Sequence, residues 1–449
     1  MPWKYCLRDL AKVVAGKLQG DEHIEFTGVS IDTRTIQPGD VFFALPGNRV
    51  DGHQFVPEAF KKGAVAVVVS KDNGFPSICV RDTLQAIQKL ARWHRTNIKS
   101  QVFAITGSCG KTTTKELISA VLAKKYKVVA SRGNYNNELG CPLSLLQMDE
   151  DTDWGVIEMG AGKAGDIAEL SAIAYPDESV ITTIAPAHIE RLGNLEGIAR
   201  EKSNIAKCLP PWGYFYVNMD NPYCVSIGNR IIANRIYYGK KGDVRLKSVR
   251  KISLEEMEVE IEPVGKLRLP LCSSSLLSNF LLAVAVSLKH KIPIDEQTLA
   301  EAYYKAGRIK TYQVGHFTII DDSYNANPAS MKSALEYLQL TGVEGYRCAV
   351  LGDMLELGEE SEKYHYLLGK QVGECGVDVL FLYGNYAQEV QRGAFEAGVK
   401  SVTVCSNHDE IVNKIIEMLP PLSRILVKGS RGMTMEKVIQ GLKEKIMNE

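Results

Sequence analysis

The chain has 449 residues, 53 Lys and Arg against 53 Asp and Glu, and a hydrophobic content of 45%. At roughly 150 residues per domain this length makes about three domains, each able to fill a core, and excludes a disordered or disulfide-stapled module. A formal net charge of +0 offers no global field for nucleic acid or anionic lipid, so any polyanion must be met by a local site. The longest apolar run, residues 280–287, is far below the roughly 20 residues of a bilayer span, and the start MPWKYCLRDL lacks a signal-peptide core. These features predict a cytoplasmic protein with no membrane insertion and no nucleic-acid partner. The ten Cys contain no C-x-x-C pair, which fits buried thiols in a reducing compartment better than a zinc site or disulfides.

In chain order, residues 41–45 read as a strand, 55–62 as a helix and 64–69 as a β-branched strand, an α/β unit. A helix over 84–96 and the polar stretch 97–100 lead into a strand at 102–106, which puts the first domain boundary at residue 98. Strand and helix alternate from there to about residue 238, the pattern of a parallel sheet covered by helices. Residues 244–271 alternate polar and apolar side chains, as in Glu256, Met257, Glu258, Val259, Glu260 and Ile261, and predict antiparallel strands added to that sheet. A helix over 276–290 follows. Near residue 308 the pattern restarts, with strands at 317–321, 348–352, 379–383 and 425–428. The predicted class is α/β with three domains: an N-terminal α/β domain (1–98), a central P-loop ATPase-type parallel-sheet domain (99–307) and a C-terminal Rossmann-like α/β domain (308–449).

The segment VFAITGSCGKTTTKELISAVL sets a strand, a turn from Gly107 through Ser108 to Gly110, and Lys111, Thr112 and Thr113 before an amphipathic helix. A phosphate needs converging N–H donors and positive charge, and glycines at a helix N-terminus supply close backbone approach and the helix dipole. Lys111 would reach the terminal phosphates and Thr112 would offer its hydroxyl to Mg²⁺. The earlier glycine of the usual P-loop is replaced by Ile105, which leaves a shortened G-x-x-G-K-T form. ATP is the expected ligand. Ligands of open α/β sheets sit at the carboxyl ends of strands, where the chain offers Glu158 after Trp154-Gly155-Val156-Ile157 and His188 after the strand expected over 179–184. Both are candidate Mg²⁺ ligands, Glu158 through oxygen and His188 through nitrogen. Lys202 by itself reads as a solvated helix residue.

These motifs resemble those of the Mur ligases, over essentially the whole chain. Shared by the family are residues 106–113 (TGSCGKTT), Glu158, His188 and Lys202. Four longer strings, GNYNNELGCPL at 133–143, DDSYNANPASM at 321–331, LGDMLELG at 351–358 and VKGSRGM at 427–433, resemble the branch that joins D-alanyl-D-alanine to UDP-N-acetylmuramoyl-tripeptide. The resemblance implies an ATP-dependent amide ligase of peptidoglycan synthesis: a peptide carboxylate is phosphorylated, and the acyl phosphate is captured by the dipeptide amine to give the pentapeptide precursor. It implies catalytic roles for Lys111, Glu158, His188 and Lys202. Thr112, Glu158, His188 and Lys202, the last as a carbamate made from CO₂, would serve Mg²⁺. Ser30, Thr33 and Arg34, with the stretch 48–53, would meet the uridine diphosphate of the muramyl substrate, and Asn134, Asn136 and Asn137 its sugar and peptide. Asn279, Arg308 and Asp322 would meet ATP; Asn325, Asn327, Ser430 and Arg431 are the candidates near the dipeptide.

Two positions depart from the family. Of a G-x-H-N-x-x-N string only Asn279 remains, with Ser273, Ser275 and Leu276 at aligned places, and Asn204 stands where a Glu is common. A Mur-type ligase for a diamino acid is the main alternative, but its Asp-Asn-Pro-Arg appears here as Asp220-Asn221-Pro222-Tyr223, in the central domain. A folylpolyglutamate-synthetase-like enzyme would lack the uridine domain. A P-loop switch would want Asn-Lys-x-Asp, and Asn413-Lys414-Ile415-Ile416 lacks the Asp. A monomer that closes over its substrates is expected.

Overall fold

The computed structural model describes residues 3–447 apart from 48, 49, 72, 73, 308 and 343, so Arg308 and part of the stretch 48–53 lie outside the described residues. The first sheet has five strands in the order Lys17–Gln19, Ser77–Cys79, Ala66–Val69, Asp40–Phe43 and Gly28–Ser30, parallel except at the Lys17–Gln19 edge. Its central strands Asp40–Phe43 and Ala66–Val69 are buried at every residue, as parallel strands covered on both faces must be. The helix Thr83–Asn97 follows, N-capped by Asp82, whose carboxylate accepts from the Leu84 and Gln85 amides. It lies along the helices Gly140–Leu145 and Asp166–Ala174 of the next unit.

The second sheet has six parallel strands ordered Asn234–Tyr238, Tyr214–Asn218, Glu178–Ile181, Gln101–Thr106, Trp154–Glu158 and Val128–Ala130. The phosphate-loop strand Gln101–Thr106 lies between the two strands carrying the other predicted ligands. Chain connections leave it in opposite directions, which opens a crevice at the carboxyl ends. The strand expected over 179–184 stops at Ile181, and the chain beyond it bends across the crevice.

Residues 244–271 correct one expectation. They form a separate antiparallel sheet, Arg245–Lys251, Glu256–Glu262 and Gly265–Pro270, instead of extending the parallel one. The reason lies in the alternation itself: Met257, Val259 and Ile261 are buried while Glu256 and Glu260 are exposed. A strand with one charged face cannot continue a sheet covered on both faces, so it packs as its own layer by the helix Glu296–Ala306.

The third sheet has the order Lys310–Val314, Phe317–Asp322, Arg424–Lys428, Arg347–Gly352, Val379–Tyr383 and Ser401–Val404, with one antiparallel hairpin pair and the rest parallel. Its carboxyl ends face the crevice of the second sheet, where Asn327 reaches the phosphate loop.

Candidate active site

The phosphate loop depends on two glycines in backbone that other residues rarely adopt, Gly107 at φ +152° and Gly110 at φ +82°. A Cβ on Gly107 would lie 1.8 Å from Thr182 Oγ1. That hydroxyl donates to Cys109 O at 2.6 Å, and Ser108 N donates to Thr183 O at 2.9 Å, so the loop is locked to the neighbouring strand's end. The helix Lys111–Ala123 starts at Gly110 with no side-chain cap, so its positive N-terminal end faces the turn, where an anion is favoured. Lys111 Nζ folds back over the turn, donating to Gly107 O at 2.9 Å.

Glu158, 1% exposed, stands at the adjacent strand end. Its two oxygens accept from Thr112 Oγ1 at 2.9 Å and Asn136 Nδ2 at 2.8 Å, so three predicted residues converge. His188 donates from Nδ1 to Glu356 Oε2 at 2.5 Å, which leaves Nε2 as the nitrogen open to a ligand. Burial pulls the His188 imidazole below its ordinary value, against the pull of Glu356. Lys202, on the helix Leu195–Ser203, is 1% exposed, which overturns the solvated reading. Burial, and secondarily the charge of Lys111, lowers its ammonium to about 7. Neighbouring Glu201 does not pair with it; its carboxylate accepts from the Gly165 and Ile167 amides at 2.8 Å each. Asn204 adds a longer bond to Glu201, which is what this chain does with its departure from the family.

Asn279, on the helix Ser274–His290, is 6% exposed, and its Nδ2 has no hydrogen-bond partner among the described residues. Its side chain lies 3.1 Å from where a Gly110 Cβ would stand, so this unsatisfied donor borders the phosphate loop. A buried donor without a partner fits a ligand acceptor such as adenine. From the third domain, Asp322 accepts from Lys428 Nζ at 2.6 Å, and Asn327 Nδ2 donates to Ser108 O at 3.3 Å. Asn327 also caps the helix Pro328–Leu340 through a capping box with Ser330.

A cavity of about 720 Å³ gathers Ser108, Gly110, Lys111, Thr112, Thr113, Glu158, His188 and Lys202 with Asn136, Asn137, Asn279, Asp322, Asn325 and Asn327. A second, of about 420 Å³, is lined by Thr112, Asn134 and Arg431. Ser430 lines neither; it is 3% exposed and pinned, its Oγ accepting from Leu355 N at 2.8 Å. Ser30, Thr33 and Arg34 sit apart in the first domain and also line neither cavity. There Ser30 Oγ donates to Asp32 O at 2.9 Å, while Arg34 pairs with Asp32 and holds its carboxyl down at about 2. Sequence reasoning passed over Lys428 and Thr182 as site residues. The strand-end rule that picks out Glu158 also finds both, since each ends or directly follows an apolar strand.

The chain matches the family descriptions Mur ligase family, catalytic domain (residues 25–101), Mur ligase middle domain (105–287) and Mur ligase, glutamate ligase domain (307–431). It is 33% identical to the UDP-N-acetylmuramoyl-tripeptide--D-alanyl-D-alanine ligase of Escherichia coli, over 98% of each chain. The chain belongs to the Mur ligase family. Among solved structures, this Mur ligase superposes on MurF from Acinetobacter baumannii with a TM-score of 0.87 at 29% identity, covering 99% of this chain and 100% of the other. MurF ligase from Thermotoga maritima in complex with ADP aligns with a TM-score of 0.81 at 28% identity, over 94% of this chain and 98% of that one. The Mur ligase fold accounts for the three α/β sheets, one to a domain. No helix among the described residues is long and apolar enough to cross a membrane.

Among the described residues no three His, Cys, Asp or Glu side chains cluster closely enough to hold a metal ion. The donors present instead are one carboxylate, Glu158, bonded to one hydroxyl, Thr112, beside a phosphate loop. That set fits Mg²⁺, which uses one or two carboxylates and takes its other oxygens from phosphates and water.

Proposed function

We infer that this Mur ligase uses ATP to join D-alanyl-D-alanine to UDP-N-acetylmuramoyl-tripeptide, forming the pentapeptide precursor of peptidoglycan. The observation that carries this reading is full-length similarity to ligases of that name, with residues of the strings at 106–113, 133–143, 321–331 and 427–433 gathered from two domains around one cavity. The ADP complex of the Thermotoga relative supports ATP as the nucleotide.

Two bonds form in sequence, each as another breaks. A carboxylate oxygen of the tripeptide attacks the γ-phosphorus and ADP leaves; the dipeptide amine then attacks the acyl carbon, phosphate leaves and the amine loses a proton. Lys111 and the amides of the helix start hold the phosphates and stabilise charge as the phosphoryl group moves. Thr112, Glu158, His188 and a carbamate on Lys202 would hold Mg²⁺, which would supply further charge neutralisation. Carbamylation bonds the Lys202 nitrogen to the carbon of CO₂ with loss of a proton. A buried lysine whose amine is readily neutral suits that reaction.

Gly107, Ser108, Gly110 and Thr113 complete the phosphate cradle, with Asn279, Arg308 and Asp322 on the adenosine side. Ser30, Thr33 and Arg34 hold the uridine diphosphate, Asn134, Asn136 and Asn137 the sugar and peptide. Asn325, Asn327 and Arg431 serve the dipeptide, with the buried Ser430 behind them donating to the Ala326 carbonyl. We place the domains at 1–98, 99–307 and 308–449 and read a cytoplasmic monomer. The test is phosphate release from ATP by the purified chain with Mg²⁺. Release is expected only when muramyl tripeptide and D-alanyl-D-alanine are both present, and single amino acids should not replace the dipeptide. Release without either substrate, or full pentapeptide synthesis by Lys111→Ala, would overturn the reading.

A further inference from the structure

The string at 351–358 has no part in the chemistry above, yet it reaches the cleft. Two non-glycine residues with left-handed backbone meet there, His188 at φ 55° from the second domain and Glu356 at φ 64° from the third. Ala15, Tyr175 and Lys291 share such backbone, but each ends a helix, where that conformation is routine. His188 instead opens the short helix Ile189–Leu192 and Glu356 borders none; unlike Leu422, which has such backbone in an exposed turn, the two face each other across a cleft, where strained backbone gathers.

Glu356 is tied to the second domain three ways. His188 Nδ1 donates to Glu356 Oε2 at 2.5 Å, Arg191 Nη2 stands 3.5 Å from Oε1, and Glu190 N donates to the Glu356 carbonyl at 3.2 Å. Glu356 is itself held firmly in its own domain. The Asp353 carboxylate accepts from the Asn385 and Tyr386 amides at 2.7 and 3.2 Å, His365 Nε2 accepts from Met354 N at 2.9 Å, and Ser430 Oγ accepts from Leu355 N at 2.8 Å. Residues 353–355 are thereby fixed just before the residue that crosses to the other domain.

We propose that Glu356 is a positioning residue for the ligase reaction. Its carboxylate accepts the Nδ1 proton of His188, which fixes the tautomer with the lone pair on Nε2 and turns that nitrogen to the cleft. Because acceptor and donor belong to different domains, His188 is oriented only while the third domain is docked. The buried Ser430 acts through the same device, by holding Leu355. This rests on the proposed ligase function for its consequence, though not for its geometry.

Two readouts test it. In Glu356→Ala, kcat for pentapeptide formation is expected to fall about tenfold or more, with KM for ATP within about twofold of native. Glu356→Gln keeps an oxygen for the Nδ1 proton and should recover most of that loss. Independently, without nucleotide or metal, amide exchange over residues 188–191 should quicken about tenfold in Glu356→Ala and stay near native in Glu356→Gln. A native kcat in Glu356→Ala, a rise in KM with kcat unchanged, no recovery in Glu356→Gln, or unchanged exchange would each overturn the proposal. If Glu356→Ala does not fold, Glu356→Gly, suited to left-handed backbone, takes its place. Should the native chain make no pentapeptide, the ligase reading fails, and exchange alone still decides whether Glu356 holds His188.

Discussion

His94 is buried where the first domain meets the second, and its partners fix its charge. Nε2 must donate to the Met148 carbonyl at 2.9 Å, so Nδ1 accepts from Tyr5 Oη at 2.8 Å, and the ring is neutral. Burial pulls its pKa from 6.5 to about 4. Below the unfolded value the unfolded chain binds the proton more readily, so this stabilisation is complete above pH 6.5 and drains away as pH falls toward the folded value. Between pH 7.5 and 4.5 the native chain should lose roughly 2–3 kcal/mol through this group. Urea unfolding at the two pH values checks this: His94→Gln should lack that part of the pH dependence, and equal slopes for both chains would refute it. Lys202 makes a second prediction at this scale. Lys202→Ala should lose at least about a hundredfold in ligase rate, and short-chain carboxylates such as acetate should restore part of it by replacing the carbamate. Steady-state rates with and without acetate measure this, and failure of every short carboxylate to restore activity counts against the carbamate.

The strand Gln101–Thr106, its turn and the helix Lys111–Ala123 work as one element, and its weakest tolerance is at Gly107. Gly107→Ala meets Thr182 Oγ1 at 1.8 Å in backbone that disfavours a side chain, so the turn must shift. The expected cost is about 1–3 kcal/mol of stability, with ATP affinity lowered more than about tenfold because the amides no longer converge. Calorimetric titration with an ATP analogue and a melting curve read both; native affinity would show that the turn tolerates a Cβ. This element was legible in the sequence because its information is local: an apolar strand, glycines, a lysine and a helix follow one another within one segment. Glu158 was legible for the same reason, as a charge ending an apolar run. The fate of 244–271 was less so. Alternation announces a half-exposed antiparallel sheet, but which neighbour covers Met257, Val259 and Ile261 depends on helices distant in sequence. Glu356 was harder still, because its partner His188 is in another domain and nothing in either local pattern marks the pair.

At the scale of the whole molecule, the two domain junctions are built differently, and this decides which one moves. The helix Thr83–Asn97 buries Ala86, Ile87, Leu90 and Ala91 in an apolar cluster shared with Leu145, Ile167 and Leu170 of the second domain. Trp3 Nε1 to Leu146 O at 3.2 Å adds a buried polar tie and Arg95 to Asp177 at 2.8 Å a half-buried one. The third domain reaches that apolar cluster too, through Ile320, Ala326, Met331 and Leu335, but its helix-to-helix packing on the second domain is slighter and is edged by short polar groups: Ser273 with Ser333 at 2.6 Å, Ser274 Oγ donating to Glu336 at 2.8 Å, and Asn327 donating to Ser108 O at 3.3 Å. Such bonds exchange readily for water, and lifting Thr83–Asn97 off its two helices would expose more hydrocarbon than parting the slighter third-domain contact, so substrate-linked motion belongs to the third domain. With an ATP analogue and muramyl tripeptide bound, X-ray scattering should show a smaller radius of gyration. Amide exchange should slow in the helix Pro328–Leu340 and at the start of Ser274–His290, while Thr83–Asn97 keeps its rate. Protection appearing instead along Thr83–Asn97, with the third-domain helix unchanged, would mean that the first domain is the moving part and that the polar junction is the rigid one.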